Sequence, residues 1–326
     1  MSKKSLFWLL GIGLLTFLTL NAGWGEIKQA LVRIDLAILL FLCGLQVLTR
    51  LLLSYQWNFL IRKKEGQISF GRTFFICQAG KFIESVTPSS KLGGEAAKIY
   101  LFRQQTGLSY EGLTSLTLTH KYLTLLPFLL IAGGFIMATS FSFSLPGVVY
   151  WSLLIFGIAI ILFLGFIFWQ SKNKDVLIEV DDTDFVFWEK LKSILSFFQR
   201  AAANSRGIIT PSEQGKLFLI SAFFWFLYPV KIYLAASSLG FEISLVFAAL
   251  ATYSAYLVSM LPLTPGGLGT FEGTMALVFS FNQFLFAEGL AVALVARLVT
   301  FWFPLLLSAI TSSYLMVRTN LVIFKN

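Results

Sequence analysis

Charge is scarce in this sequence. Of 326 residues, 13% are Asp, Glu, Lys or Arg, and His120 is the single histidine. A soluble domain carries about twice that share of charge, so a freely soluble fold is excluded. Cysteine is limited to Cys43 and Cys77, both inside apolar stretches, which excludes a disulfide framework and a cysteine-based metal cluster. No HExxH, GxSxG or phosphate-loop pattern occurs, so zinc-protease, serine-hydrolase and nucleotide-hydrolysing chemistry have no foothold. The run GGLG lacks the βαβ surroundings that a dinucleotide fingerprint requires. No metal and no cofactor is expected. The period-two alternation of a membrane β-barrel is weak beside the long unbroken apolar runs.

What is abundant is apolar surface. Apolar residues make up 57% of the chain, including 35 Phe and 8 Trp. Runs long enough to cross a hydrocarbon core of roughly 30 Å recur along it, which predicts an all-α polytopic membrane protein. The formal charge of +9 is not a nucleic-acid signal. Basic residues flank apolar spans, as in "MSKK" and "RKKEGQISFGR" (62–72), and mark segments facing anionic headgroups on the cytoplasmic side. No nucleic-acid partner is expected.

Spans are predicted at about 5–21, 36–60, 112–138, 148–169, 216–238, 244–261, 273–287 and 290–316. The first is read as an uncleaved helix, because no small-residue cleavage site clearly follows it. Between 171 and 215 lies the longest polar section. Within it "FVFWEKLKSILSFFQRAAA" spaces its apolar residues as an amphipathic helix, lying on the inner leaflet or packed on the bundle from the cytoplasm. The whole chain, 1–326, reads as one transmembrane domain, with both termini cytoplasmic in the inner (plasma) membrane.

Two interruptions stand out. The first is "VTPSSKLGGEAAKIY" (86–100), the second "LPLTPGGLGTFEGT" (261–274). Proline removes a backbone donor and paired glycines loosen a helix, both costly in lipid unless protein buries the break or it lines a wet cavity. Discontinuous helices in transporters point unpaired N–H groups and a positive dipole end at anionic groups. In the first break Pro88, Ser89 and Ser90 supply a turn and hydroxyls, and Gly93 and Gly94 permit close backbone approach. A helix starting near Gly94 puts Glu95 in its first turn and Lys98 on the same face. Lys81 and Glu84 form a similar pair before the break. In the second, Pro265, Gly266, Gly267 and Gly269 make the interruption, Thr270 is a candidate N-cap, and Glu272 falls in the first turn after it. Arg297 is the evident counter-charge for Glu272.

If 73–104 enters from the cytoplasm and returns, loop charges put a hairpin at 245–287 on the opposite side from the first, the arrangement of an inverted repeat. The expected architecture is about six full spans plus two re-entrant hairpins, the alternative being eight spans plus one. A kink or tight turn within ordinary spans is the plainer reading of each break. His120 reads as a polar-pocket residue rather than a catalyst. Lys231, in an apolar span, either snorkels or lines a cavity.

"ESVTPSSKLGGEAAKIYLFRQQTG" followed by "LPLTPGGLGTFEG" resembles the lysylphosphatidylglycerol synthase transmembrane family, the flippase-like domain, from about residue 5 to 316. On that resemblance Pro88, Gly93, Gly94, Glu95 and Lys98 match the first motif, and Pro265, Gly266, Gly267, Gly269 and Glu272 the second. The resemblance implies movement of a lipid between leaflets. It also implies that this chain, without the aminoacyl-transferring domain of two-part members, does not itself make lysyl-lipid.

The leading expectation is a flippase, not an enzyme, for a membrane phospholipid or a polyprenyl-phosphate-linked lipid. Lys81, Lys98 and Arg297 would hold a phosphate, balanced by Glu84, Glu95 and Glu272. The rivals are a membrane-embedded transferase using Glu95 or Glu272 as base, and an accessory subunit for a separate synthase or glycosyltransferase. A homo-oligomer is compatible with either.

Overall fold

The computed structural model describes residues 34–86, 90–139, 207–261 and 264–319, with residues 32, 151, 155, 157 and 158 as isolated positions. The predicted spans at 5–21 and 148–169 and the amphipathic helix at 185–203 lie outside these residues.

Every element among the described residues is helical, with no strand. Among the described residues, pairs of short helices are each flanked by long apolar ones. Helix α1, Leu36–Lys63, starts at the side chain of Asp35, which accepts from the Ala37 amide, and ends on Arg62 and Lys63. Helix α2 is Phe70–Val86 and α3 is Ser90–Thr106. Helix α4, Tyr110–Thr139, runs for 30 residues through Pro127. Helix α5, Pro211–Ser238, begins with a reciprocal cap: Thr210 accepts from the Glu213 amide, and Glu213 accepts from the Thr210 amide. Helix α6, Leu245–Ser259, is capped by Ser244. A single 3₁₀ turn, Pro265–Gly267, leads to α7, Thr270–Ser280. Helix α8, Phe286–Arg297, passes through a π-helical segment at Leu298–Trp302 into α9, Phe303–Thr319.

Four stretches are long and apolar enough to cross a membrane: α1, α4, α5 and the α8–α9 run Phe286–Ser313. The apolar stretches at 244–261 and 273–287, expected as a re-entrant hairpin or as two full spans, hold helices of 15 residues and of 11, the second stopping at Ser280. Hydropathy alone cannot see such ends, because the apolar run continues through the turn.

Burial is turned inside out relative to a soluble protein. Leu40, Phe41, Leu219, Phe223, Leu306 and Ile310 are exposed, whereas Gln46, Thr49, Gln56 and Asn58 on α1 are buried. Gln56 donates to the Leu217 carbonyl and the Ser221 hydroxyl on α5, and Asn58 to the Ile68 carbonyl and the Thr73 hydroxyl. Apolar tails solvate the outside of such a bundle, and polar groups must find partners within it. Alanine and glycine set the closest packing: Ala248, Ala251, Ala255, Ala291 and Ala293 are fully buried where α6, α7 and α8 meet. This is an integral membrane protein.

Candidate functional site

Helices α2 and α3 lie side by side as a hairpin, and the contact depends on two glycines. A Cβ on Gly94 would stand 2.6 Å from the Gly80 carbonyl oxygen and 2.7 Å from the Glu84 Cβ. A Cβ on Gly80 would collide with the Lys98 stem, which crosses the backbone there. The close backbone approach expected at Gly94 is made to the partner helix. Helix α3 also starts at Ser90 rather than near Gly94, so Glu95 sits in its second turn and makes no first-turn cap.

This crossing assembles a charged cluster. Glu95 forms ion pairs with Lys98 through one carboxylate oxygen and with Lys121 of α4 through the other, each at 2.7 Å. Lys81 and Glu84 pair at 3.1 Å. On α1, Arg50 donates from Nε and Nη2 to the Gln78 amide oxygen at 3.2 and 3.1 Å. The Lys98 ammonium lies 4.9 Å from the Trp57 ring centre, and Trp57 in turn stacks on Phe102 and lies against His120. Lys81, Lys98 and Lys121 all act electrostatically on Glu84, which ties the two ion pairs together. Four cations (Arg50, Lys81, Lys98 and Lys121) stand against two carboxylates (Glu84 and Glu95), an excess of two positive charges. Lys81, Glu84 and Lys121 are only partly buried, so the cluster is open on one side.

Around it sit polar atoms with no partner among the described residues. They are the Trp57 indole N–H, the Gln78 amide nitrogen and the Ser85 and Ser115 hydroxyls. His120, also buried here, interacts with the Leu53 backbone. These atoms belong to α2 and to the two spanning helices, α1 and α4, that pack against the hairpin. Buried polar groups in a bilayer cost several kcal/mol each when unpaired, and several of them gather beside the charged cluster.

The second break is built differently. Gly266, Gly267 and Gly269 have φ of 62°, 69° and 80°, which only glycine adopts without strain. The turn they make is held from behind by Arg297. Its Nη2 donates to the Gly266 and Gly267 carbonyls at 2.9 and 2.5 Å, and its Nε to Glu272 at 3.0 Å. The guanidinium lies over the rings of Phe271 and Phe301. The other Glu272 oxygen accepts from the Gly269 amide at 2.7 Å, capping α7. The structure therefore assigns the N-cap to Gly269 and not to Thr270. Thr270 is the first helical residue, and its hydroxyl donates back to the Gly267 carbonyl. Glu272 and Arg297 are 1% and 5% exposed. Their hydrogen bonds are used within the turn, so Arg297 is a fastener of the break rather than an open ligand for phosphate.

The two breaks adjoin. The Pro265–Gly267 turn packs on α2, α9 packs along the same helix, and Arg297 lies within electrostatic reach of Lys81. The structure thus brings Lys81, Glu84, Glu95 and Lys98 into one cluster, with Gly94 beneath them and Gly266, Gly267, Gly269, Thr270, Glu272 and Arg297 next to it. Pro88 and Ser89 lie outside the described residues, as does the Ser90 side chain. Gly93 and Pro265 are in place on their elements. Sequence reasoning missed Arg50, Gln78, Gly80, Trp57 and Lys121. Arg50 carried a usable signal, a lone guanidinium within an apolar span. Gly80 and Trp57 carried none until the hairpin contact was known.

The chain matches the lysylphosphatidylglycerol synthase TM region family over residues 6–308, and it belongs to that family. A UPF0104 membrane protein of Methanothermobacter thermautotrophicus is 25% identical over 92% of this chain and 92% of its own length. Another from Pyrococcus horikoshii is 23% identical over 94% and 96%. A third, from Methanocaldococcus jannaschii, is 26% identical over 88% of each.

Proposed function

We propose that this member of the lysylphosphatidylglycerol synthase TM region family moves an anionic lipid headgroup between leaflets, the acyl tails staying in the bilayer. One observation carries the reading. A half-open cluster with two surplus positive charges, ringed by unpaired donors, lies at a helix break beside a second break. A phosphate or phosphodiester supplies what that cluster lacks: negative charge and acceptors. Lys81, Lys98 and Lys121 take the phosphate oxygens, Glu84 and Glu95 keep the lysines apart when the site is empty, and Arg297 with Glu272 keeps the adjoining turn rigid.

Helix length supports the re-entrant reading. Helices α2, α3, α6 and α7 have 17, 17, 15 and 11 residues, about 26, 26, 22 and 17 Å, against a core of roughly 30 Å. The order long, short, short, long occurs twice, as α1–α4 and as α5 to α8–α9. With full crossings by the long helices, the two hairpins enter from opposite faces, as inverted repeats do. This reading has one transporting domain, both termini on the cytoplasmic side of the plasma membrane, and no chemical step.

The test is leaflet exchange. Purified protein in phosphatidylcholine liposomes is given a headgroup-fluorescent phosphatidylglycerol, and the quencher-accessible fraction is followed. Exchange of chemically unchanged lipid is expected. Glu95→Gln, which leaves Lys98 and Lys121 without their shared acid, should slow it at least severalfold, through an anion held too tightly. A new lipid product in the extract would instead mean a transferase. No exchange above empty liposomes, with folded protein, would overturn the proposal.

A further inference from the structure

Lys231 lies apart from both breaks. It is 1% exposed within α5, and its ammonium donates to the Gln46 amide oxygen at 2.6 Å and the Thr49 hydroxyl at 3.0 Å, both buried on α1. The Tyr228 ring centre is 4.3 Å away. Helix α5 packs against α1, α4, α6 and α8. From these, α1 brings Arg50, one turn beyond Gln46, and α6 brings the phenols of Tyr253 and Tyr256. His120 and Lys121 of α4 belong to the first break, and Arg297 of α8 to the second. Among the described residues no carboxylate pairs with Lys231; the acceptors around it, Gln46 and Thr49, are neutral. A charged amine buried with only neutral acceptors gains too little to offset its lost hydration, so its charge is conditional.

The same neighbours connect it to the headgroup cluster. Gln46 bonds to both Lys231 and Tyr228, and Tyr228 lies within electrostatic reach of Arg50 and Glu84. Arg50 holds Gln78 on α2. A proton added at Lys231 therefore places a further positive charge behind a cluster that already favours anions.

We infer that Lys231 is a proton-binding site, loaded together with the anionic headgroup and emptied with it, so that a proton gradient drives lipid movement. The step is Lys231–NH₂ + H⁺ ⇌ Lys231–NH₃⁺, with no other bond made or broken. It rests on the transport reading above, and the experiment separates the two. Detergent-purified wild-type protein in weak buffer is mixed with short-chain phosphatidylglycerol while binding and proton uptake are measured together. In parallel, phosphatidylglycerol exchange in liposomes is measured with and without an imposed pH gradient. Wild type should take up about one proton per lipid bound and show exchange accelerated severalfold by the gradient. Lys231→Met, fixed neutral, and Lys231→Arg, fixed charged, should bind lipid without proton uptake and lose the acceleration. Two substitutions, one neutral and one positively charged, guard against a variant that merely misfolds. Gradient dependence or proton uptake persisting in either folded variant would overturn the inference alone. Absence of lipid binding and exchange in wild type would overturn the transport reading and this inference with it.

Discussion

Arg297→Met is the substitution for which the structure makes the firmest demand. The guanidinium has three acceptors, the Glu272 carboxylate and the Gly266 and Gly267 carbonyls. Removing it leaves a carboxylate 1% exposed without its cation, and two turn carbonyls with fewer partners. Breaking a buried pair on one side costs about 3–5 kcal/mol. At roughly 2 °C per kcal/mol for a chain of this size, the thermal midpoint in detergent should fall by about 6–10 °C. Arg297→Lys keeps a charge but cannot reproduce the fork, so a smaller loss of about 1–2 kcal/mol is expected. The decisive variant is Arg297→Met with Glu272→Gln. The amide can still accept from the Gly269 amide while no charge is stranded, so roughly half of the lost stability should return. Differential scanning of all three proteins in one detergent gives the comparison. An Arg297→Met midpoint within about 2 °C of wild type, or a double variant no better than the single, would refute the account of the second break.

Smaller effects follow from packing and capping. Gly94→Val forces a side chain against the Gly80 carbonyl and should cost about 1–3 kcal/mol, read as a lower melting midpoint with slower lipid exchange. Gly134→Ala is its control: nothing lies within 4 Å of a Cβ there, so the α4 interior should gain up to about 1 kcal/mol. Thr210→Ala removes the cap of α5 and should cost about 1 kcal/mol, with exchange unchanged per folded molecule.

How far the sequence reached differs between the two breaks. At the second, the local pattern carried most of the answer. Positive-φ glycines must make a turn, and an acid three residues after Gly269 can reach back to cap the new helix; only the choice of cap, Gly269 over Thr270, went astray. Threonine is the stronger capping type, but the turn left Gly269 in the capping position with its amide toward Glu272. At the first, Glu95 and Lys98 were visible by their helical spacing, yet their setting was not. Lys121 and Arg50 reach the site from helices distant in sequence, and Gly94 turned out to serve the contact with Gly80.

Composition and periodicity by themselves determined that this chain lives in a bilayer, that its backbone breaks twice, and that acids follow both breaks. Those facts depend on transfer to hydrocarbon and on local backbone sterics, which neighbouring residues fix. Tertiary structure alone decided that one acid closes a dry turn with Arg297 while the other shares two lysines in an open, positively charged cluster. A buried charge takes its role from whichever partner the packing delivers, and those partners came from other helices.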